Sequence, residues 1–278
     1  MMRRMDHNTN ESAELAIAIA DAAQRLAAST HVTILTGAGA SAESDIPTFR
    51  DSMKGLWASF DPQSLATPEA FAADPGLVTK WYDQRRLGCL AADPNAGHWA
   101  LAEMESQLRS RGRSFTLLTQ NVDGLHQRAG SRAVVELHGS ILRWRCTRTG
   151  RPVDPGADPI DPAPHPSPHA DNAWIRPDVV WFGESLPTDA VVRAQTATQQ
   201  ADCFLSIGTS SVVYPAAGFI AEAARAGATV IEVNPDATEL SHHADVALRG
   251  TAATALPRLV ATAFPTDTAA DDESTSGG

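Results

Sequence analysis

Lysine is nearly missing from this 278-residue chain: only Lys54 and Lys80 occur, and arginine supplies the rest of the cationic set. Beside abundant alanine, that skew reads as a coding bias rather than a mechanism. Cysteine is scarce as well, at Cys89, Cys146 and Cys203. Three scattered thiols exclude a disulfide framework and a four-cysteine zinc site, and they point to a reducing, cytoplasmic compartment. No apolar run reaches the roughly 18 residues of a membrane span. Arg3 and Arg4 are followed by polar residues, not by an apolar segment, so no secretory signal is expected. A basic excess is also lacking. The net charge of −11 argues against nucleic acid as the main partner, because phosphate backbones are gripped by a basic face. It leaves room for a basic peptide, or for a dinucleotide held by backbone amides.

What is present is the composition of a globular protein. Hydrophobic residues make up 43% and charged residues 20%, and the length suits one large or two small domains. Residues 1–11 and 265–278 are polar and aperiodic and are expected to be disordered tails. Between them, residues 11–28, 68–73, 75–91, 95–110 and 214–226 have helical spacing. Residues 31–36, 115–119, 134–137, 203–207 and 229–233 are short apolar runs closed by turn formers. The alternation predicts an α/β fold whose parallel sheet carries helices on both faces. Two stretches break it. Residues 147–177 hold Pro152, Pro155, Pro159, Pro162, Pro164, Pro166, Pro168 and Pro177, which excludes helix or central strand. Residues 46–110 separate the first strand from the second. Together they suggest a small module beside the main sheet.

Chemistry gathers where strands end. Thr36-Gly37-Ala38-Gly39-Ala40-Ser41-Ala42 has the G-x-G-x-x-A spacing of a dinucleotide loop, in which the first glycine permits a tight turn and the second lets backbone approach a pyrophosphate. A plain glycine turn fits the same residues, and the acid usual about 20 residues on is absent. Gln120-Asn121-Val122-Asp123 either points polar groups into the crevice or forms a turn and helix cap. His138-Gly139 follows the third strand, and a histidine there suits general-base work. His126, His165, His169, His242 and His243 read as structural. Gly208-Thr209-Ser210 and Asn234-Pro235-Asp236 end the last two strands and offer groups for phosphate and ribose.

In order, Gly37-Ala38-Gly39-Ala40-Ser41-Ala42-Glu43-Ser44-Asp45-Ile46-Pro47-Thr48-Phe49-Arg50, Gln120-Asn121-Val122-Asp123, His138-Gly139, Gly208-Thr209-Ser210 and Asn234 resemble the sirtuins, NAD-dependent protein-lysine deacylases. The resemblance covers about 12–264. It implies a Rossmann-like domain plus a smaller one built from insertions at about 46–110 and 140–178. It implies NAD against Gly37, Ala38, Gly39, Ser41 and Ala42, a cofactor loop of Pro47, Thr48, Phe49 and Arg50, and further contacts from Gln120, Asn121, Asp123, Gly208, Thr209, Ser210, Asn234, Pro235, Asp236 and Ala252. Phe49 would shield the reactive ribose from water. Asn121 and Asp123 would position nicotinamide, and His138 would be the general base. The products would be free lysine, nicotinamide and acyl-ADP-ribose. Acylated-lysine proteins or peptides are the implied partners, with no nucleic acid or membrane, and a monomer is expected.

Val180, Phe182, Gly183 and Glu184 resemble the family's substrate cleft, where peptide adds as a strand and Val180 and Phe182 line the acyl-lysine tunnel. Tyr82-Asp83-Gln84-Arg85 resembles the Tyr-x-x-Arg pair of the desuccinylase and demalonylase class, with Ala66-Thr67-Pro68 upstream. Positions three apart share a helix face, and Arg forks onto a carboxylate while a Tyr hydroxyl adds a donor. An apolar acetyl pocket would leave Arg85 buried and unpaired. Otherwise Asp83, Arg85 and Arg86 are solvated surface charges.

The zinc pattern departs from the family. Cys146 keeps the first cysteine, Thr149 stands at its partner's position, and the second pair, due near Pro166 and Asp171, is missing. A replacement set of Cys146, His165, His169 and Asp171 is conceivable, but a zinc-free proline-rich loop is expected, with no metal ligands. Two other functions use the same crevice: a protein ADP-ribosyltransferase or NAD hydrolase, and a noncatalytic NAD-sensing module.

Overall fold

Val32, Thr33, Ile34 and Leu35 give the strand β1 (His31–Thr36) apolar or β-branched groups on both faces, and all four are buried. A strand covered on both sides is the mark of a parallel sheet between helices. The computed structural model describes residues 2–46, 62–210 and 215–265. After β1 come β2 (Ser114–Thr119), β3 (Val134–Glu136), β4 (Gly139–Cys146), β5 (Pro152–Val153), β6 (Ile175–Val179), β7 (Cys203–Ile207), β8 (Thr229–Val233) and β9 (Val246–Leu248). Six of these form a parallel sheet in the order β3-β2-β1-β7-β8-β9. Strand order grows outward in both directions from the β1–β7 pair. That reversal opens a crevice at the carboxyl ends of the strands, as in the doubly wound dinucleotide folds.

The helices are α1 (Met2–Ala28), α2 (Pro62–Leu65), α3 (Pro68–Ala73), α4 (Pro75–Ala91), α5 (Ala96–Ser110), α6 (Leu125–Arg128), α7 (Thr188–Gln200), α8 (Gly218–Arg225) and α9 (Ala252–Ala263). One apolar layer joins the sheet to α1, α5 and α9 through residues such as Leu26, Leu101, Met104 and Leu256. The other face carries α7 and α8 through Ala194, Phe219 and Ile220. A third core is separate. It packs Phe71, Val78, Trp81 and Tyr82 of α3 and α4 on Trp144, Ile175 and Trp181 around the antiparallel sheet β5-β4-β6. This is the small module. Pro152 and Pro177 lie on its two edge strands, where a missing N–H breaks no ladder.

Caps explain the sharp starts of α3 and α4. Thr67 accepts from Ala70 N at 3.1 Å and Asp74 from Leu77 N at 2.9 Å, each with proline at the first helical position. Three expectations need correction. The helix expected from residue 11 begins at Met2, so residues 2–11 are not a loose tail; no proline or glycine interrupts 2–28, and helix once nucleated propagates. The helix expected from 214 begins at Gly218. The expected helices also omit α7 and α9, although Leu256, Leu259, Val260 and Ala263 recur at helical spacing after the cap residue Thr251. The first is rich in threonine and poor in apolar residues, and the second carries Pro257 within the helix. Residues 266–278 lie outside the described residues.

At the switch point the loops after β1 and β7 touch. Gly37 N donates to Ile207 O at 3.0 Å and Gly39 N to Gly208 O at 2.8 Å. A Cβ on Gly37 would lie 2.8 Å from Thr209 Cα, and one on Gly39 2.8 Å from Gly208 Cα. Gly208 itself has φ +57, and a side chain there would strike Ala40 N. Gly208→Ala is therefore expected to cost about 2–3 kcal/mol through strain and overpacking. At about 2–4 °C per kcal/mol, that lowers Tm by roughly 5–10 °C. A thermal melt that does not move would show that the two loops need no such approach.

Candidate active site

Four strand ends face the crevice, and side chains tie them together. Asn121, after β2, donates through Nδ2 to Gly37 O at 3.0 Å and to Ser41 Oγ at 3.1 Å. Ser41 Oγ donates to Asp123 Oδ2 at 2.8 Å, while Asp123 Oδ1 accepts from Leu125 N at 2.9 Å. Asp123 thus closes the turn before α6 and anchors Ser41. Burial pushes its carboxyl above the usual range, and the hydrogen bonds from Leu125 N and Ser41 pull the other way. Gln120 Nε2 reaches Thr209 Oγ1 at 3.2 Å, and Asn234 Nδ2 reaches Thr209 O at 3.0 Å. The amides of Gly37 and Gly39 are engaged by the β7 loop. The two glycines are thus required by contact between the loops, a constraint not read in the sequence. Ala252 is buried at the start of α9, against Gly97. Pro47, Thr48, Phe49 and Arg50 lie outside the described residues.

Beneath this network sit two histidines. His98 carries no mark of its role in the sequence; its partner Ser41 lies 57 positions away. Asn95 and His98 form a capping box at the start of α5, and Asn95 Nδ2 also holds Ala40 O at 2.9 Å. Asn followed three residues later by a side-chain acceptor is a readable capping signal. His98 Nδ1 accepts from Asn95 N, so Nε2–H faces Ser41 Oγ at 3.3 Å. His126 packs against it, with ring centroids 4.8 Å apart and planes tilted by 58°. Thr36 gives its hydroxyl hydrogen to Thr119, so it accepts from His126 Nε2–H at 3.0 Å. Burial pulls His98 down to about 4 and His126 down to about 3, the latter also through its neighbour.

His138 follows β3 and is half-buried. Its Nδ1 lies 3.0 Å from Gln120 O, so that nitrogen carries the hydrogen and Nε2 keeps a lone pair. Burial lowers its pKa, against the opposing pull of the Gln120 bond. Beside it runs 180–184, the seam between the two cores. Val180 N donates to His138 O, and Phe182 N donates to Ala66 O, both at 2.9 Å. Trp181 N donates to the Glu184 carboxylate at 2.9 Å. Three consecutive amides are therefore satisfied internally, and a peptide strand would have to use carbonyls and Gly183. Phe182 is 45% exposed, and Val180 is half-buried. Glu184 pairs with Arg176 at 2.6 Å, whose guanidinium stacks 3.3 Å from the Trp181 ring centroid. Burial would raise the Glu184 carboxyl, but Arg176 and the Trp181 amide hold it below the ordinary range.

Tyr82 packs near Trp181 from α4, and the Arg85 guanidinium lies 5.6 Å from the Tyr82 ring centroid. Tyr82 is buried, 6.1 Å from Trp181 between ring centroids, and burial pushes its hydroxyl up to about 12. Arg85 is half-buried, with its guanidinium 4.8 Å from the Trp81 ring centroid. It is stacked, not stranded, so the expected burial penalty for an uncharged cargo is reduced. Asp83 and Arg86 are not solvated surface charges; they are buried and paired at 2.7 Å. The conceivable metal set does not assemble. His169 Nε2 lies 3.0 Å from Pro152 O, and among the described residues no three His, Cys, Asp or Glu side chains converge. Cys146 is buried among other donors. Burial alone would raise its thiol, yet hydrogen bonds from Ser167, Thr149 and the amides of Thr149 and Arg148 bring it down to about 6.

The histidine pair makes stability depend on pH. Both rings bind protons less readily folded than unfolded, so their contribution is full above pH about 6.5 and is lost as pH falls toward about 4. A tenfold difference in proton affinity is worth about 1.4 kcal/mol, so roughly 2.5 kcal/mol per histidine should be gone by pH about 4.5. Tm measured across this range should fall steeply, and His126→Gln should flatten the fall. Parallel curves for the two proteins would exclude the pair as its cause.

The geometry agrees with the relatives of this chain. The Sir2 family profile matches residues 37–215. An NAD-dependent protein deacylase of Deinococcus radiodurans is 50% identical over 247 residues, covering 87% of this chain and 98% of that protein. NAD-dependent protein deacylase 2 of Pyrobaculum aerophilum is 49% identical, covering 86% and 93%. Among solved structures, a Sir2 homologue in complex with NAD superposes with a TM-score of 0.80 at 44% identity, covering 86% of this chain and 91% of that one. A Sir2 variant with a deacetylated peptide and 3′-O-acetyl ADP ribose gives 0.75 at 30% identity, covering 85% and 95%. A shared fold and this level of identity over nearly whole chains place the protein: it belongs to the Sir2 family.

Proposed function

We propose that the chain removes acyl groups from protein lysine at the expense of NAD, with acidic groups such as succinyl and malonyl as its main cargo and acetyl as a lesser one. The products are free lysine, nicotinamide and acyl-ADP-ribose. The observation that carries this reading is His138 at the seam between the two cores. Its Nδ1 is held by Gln120 O, and Nε2 is left to take a proton. A ring whose pKa burial lowers is neutral at neutral pH, the form a base requires. Residues that would hold NAD are Gly37, Ala38, Gly39, Ser41 and Ala42, those of 47–50, Gln120, Asn121 and Asp123, and those of 208–210 and 234–236, with Ala252. Bound there, NAD would supply an electrophilic anomeric carbon, with nicotinamide as its leaving group. Asn121 and Asp123, held in place by Ser41 and Gly37, orient that end of the crevice. Val180, Phe182, Gly183 and Glu184 receive the peptide, and the Glu184–Arg176–Trp181 stack keeps that segment in place.

Acyl preference rests on Tyr82 and Arg85. A hydroxyl pushed up to about 12 stays protonated and donates, and a stacked guanidinium presents a fixed fork to a carboxylate. The three thiols are all free, in keeping with a reducing cytoplasm.

Nicotinamide release should be followed with acetyl-, malonyl-, succinyl- and glutaryl-lysine peptides. His138→Ala is expected to lower deacylation by about 10²–10⁴-fold while NAD binding stays measurable. Full activity in that variant would remove His138 from the mechanism. Nicotinamide release without loss of an acyl group would instead point to ADP-ribosyl transfer or NAD hydrolysis. Arg85→Met should raise KM for the succinyl peptide about tenfold or more, the loss of about 1.4 kcal/mol of binding. Acetyl turnover faster than succinyl, and unmoved by Arg85→Met, would end the acidic-acyl reading.

A further inference from the structure

Most sirtuins hold their cysteine-pair insert with zinc, and the residues here do not fit that metal. Among the described residues no three His, Cys, Asp or Glu side chains converge, at Cys146 or elsewhere, where a closed zinc site has four thiolates or imidazoles. The insert nevertheless has to be held. It carries eight prolines between 147 and 177 and few apolar side chains, of which Val153 and Ile160 are partly buried against the small core. We propose that the buried Asp83–Arg86 pair of α4 replaces the structural metal, clamping the proline-rich insert onto α4 and so positioning Tyr82 and Arg85 of the same helix. The second half rests on the acyl-lysine reading of Tyr82 and Arg85.

The clamp is complete in its contacts. Arg86 is 1% exposed. Its Nε donates to Asp83 Oδ1 at 2.8 Å, Nη1 to Gly156 O at 2.5 Å and Nη2 to Asp158 O at 2.6 Å. Asp83 Oδ2 then accepts from Ile160 N at 2.8 Å. The three insert residues are spaced by two along a bent stretch in which Gly156 has φ +73. One ion pair therefore grips the backbone at 156, 158 and 160, with both charged groups facing partners, the condition under which a buried pair is tolerated. Asp83 and Arg86 are three apart on α4, so they share a face. Tyr82 and Arg85 are the residues immediately before them, about 100° around the helix. Holding the first pair fixes the roll of α4, and with it the direction of the second.

The test uses the full-length protein. Metal analysis should find no stoichiometric zinc, and a zinc chelator should leave Tm unchanged. One zinc per chain with a Tm lowered by chelation would overturn the replacement. Arg86→Met and Asp83→Asn should each open 150–168 to limited proteolysis. Each should raise KM for the acyl peptide about tenfold or more, as expected for displacement of positioned groups, and leave the Kd for NAD unchanged. Arg86→Lys, which cannot span all three partners, should restore little. Should Arg86→Met not fold, Asp83→Asn and hydrogen exchange at the Ile160 amide of the unmodified protein remain. That amide should be the best protected of the insert, and rapid exchange there would overturn the clamp. A folded variant with an intact loop and unchanged KM would do the same. Unchanged KM with only a reduced active fraction would overturn the positioning half. Acetyl and succinyl peptides are run together: if Arg85→Met affects neither while Arg86→Met affects the peptide in use, the acyl reading fails and the clamp stands.

Discussion

The contact between the loops after β1 and β7 is the constraint on which the site depends. Two backbones meet there at a distance that excludes any Cβ on Gly37, Gly39 or Gly208. Because the sheet reverses its order between those strands, the contact also sets the floor of the crevice. The polar groups that reach into it are all referenced to this floor. Asn121 holds Gly37 O, Asn234 holds Thr209 O, and Gln120 holds Thr209 Oγ1. A shift of either loop would therefore move groups at the ends of β2 and β8 as well. Building from backbone has a consequence: the glycine amides cannot also serve a ligand, so recognition falls to side chains and to the remaining amides of the loop.

The second constraint is the seam. Residues 180–182 give one amide to the large core at His138, one to Glu184, and one to the small module at Ala66. The proposed base and the proposed acyl pocket are thus joined through a single stretch of backbone three residues long. The Arg176–Glu184 pair, with Trp181 stacked on the guanidinium, stiffens that stretch from the side of β6.

How legible each part was in the sequence follows from where its partners lie. The bounds of β1, β7 and β8 agree with their apolar runs, because strands buried on both faces need no other signal. The small sheet was not legible. β4 mixes Arg143 and Arg145 with apolar residues, and β6 contains Pro177, so neither reads as a strand until the other is present. The strand-end motifs stood out because the crevice rule ties polar residues to position. His98 did not, since what gives it meaning is Ser41, far away in the chain and buried with it. Asp83 and Arg86 looked like solvated charges for a related reason. Apart from each other, their partners are backbone groups of the insert, and a carbonyl leaves no trace in a sequence.

That last point also explains why a proline-rich insert and an arginine suit each other. Each proline removes a backbone donor and keeps a backbone acceptor. A segment dense in proline therefore has carbonyls in excess, and its own hydrogen bonds cannot use them all. Arg86 brings five donors and no acceptor, in a planar fork that needs no deprotonation and little reorganisation. Gly156 and Asp158, whose carbonyls it takes, each stand directly beside a proline, at Pro155 and Pro159. Ile160 follows Pro159 and carries a donor of its own, and that donor is the one that meets Asp83. Cysteine ligands would ask the insert for side chains at fixed turns. The clamp asks only for backbone, so the insert is left free to fill its sequence with prolines, which restrict the unfolded chain. On this view, the scarcity of cysteine and the abundance of proline in one segment are two sides of the same exchange, made when a buried ion pair took over the hold on α4.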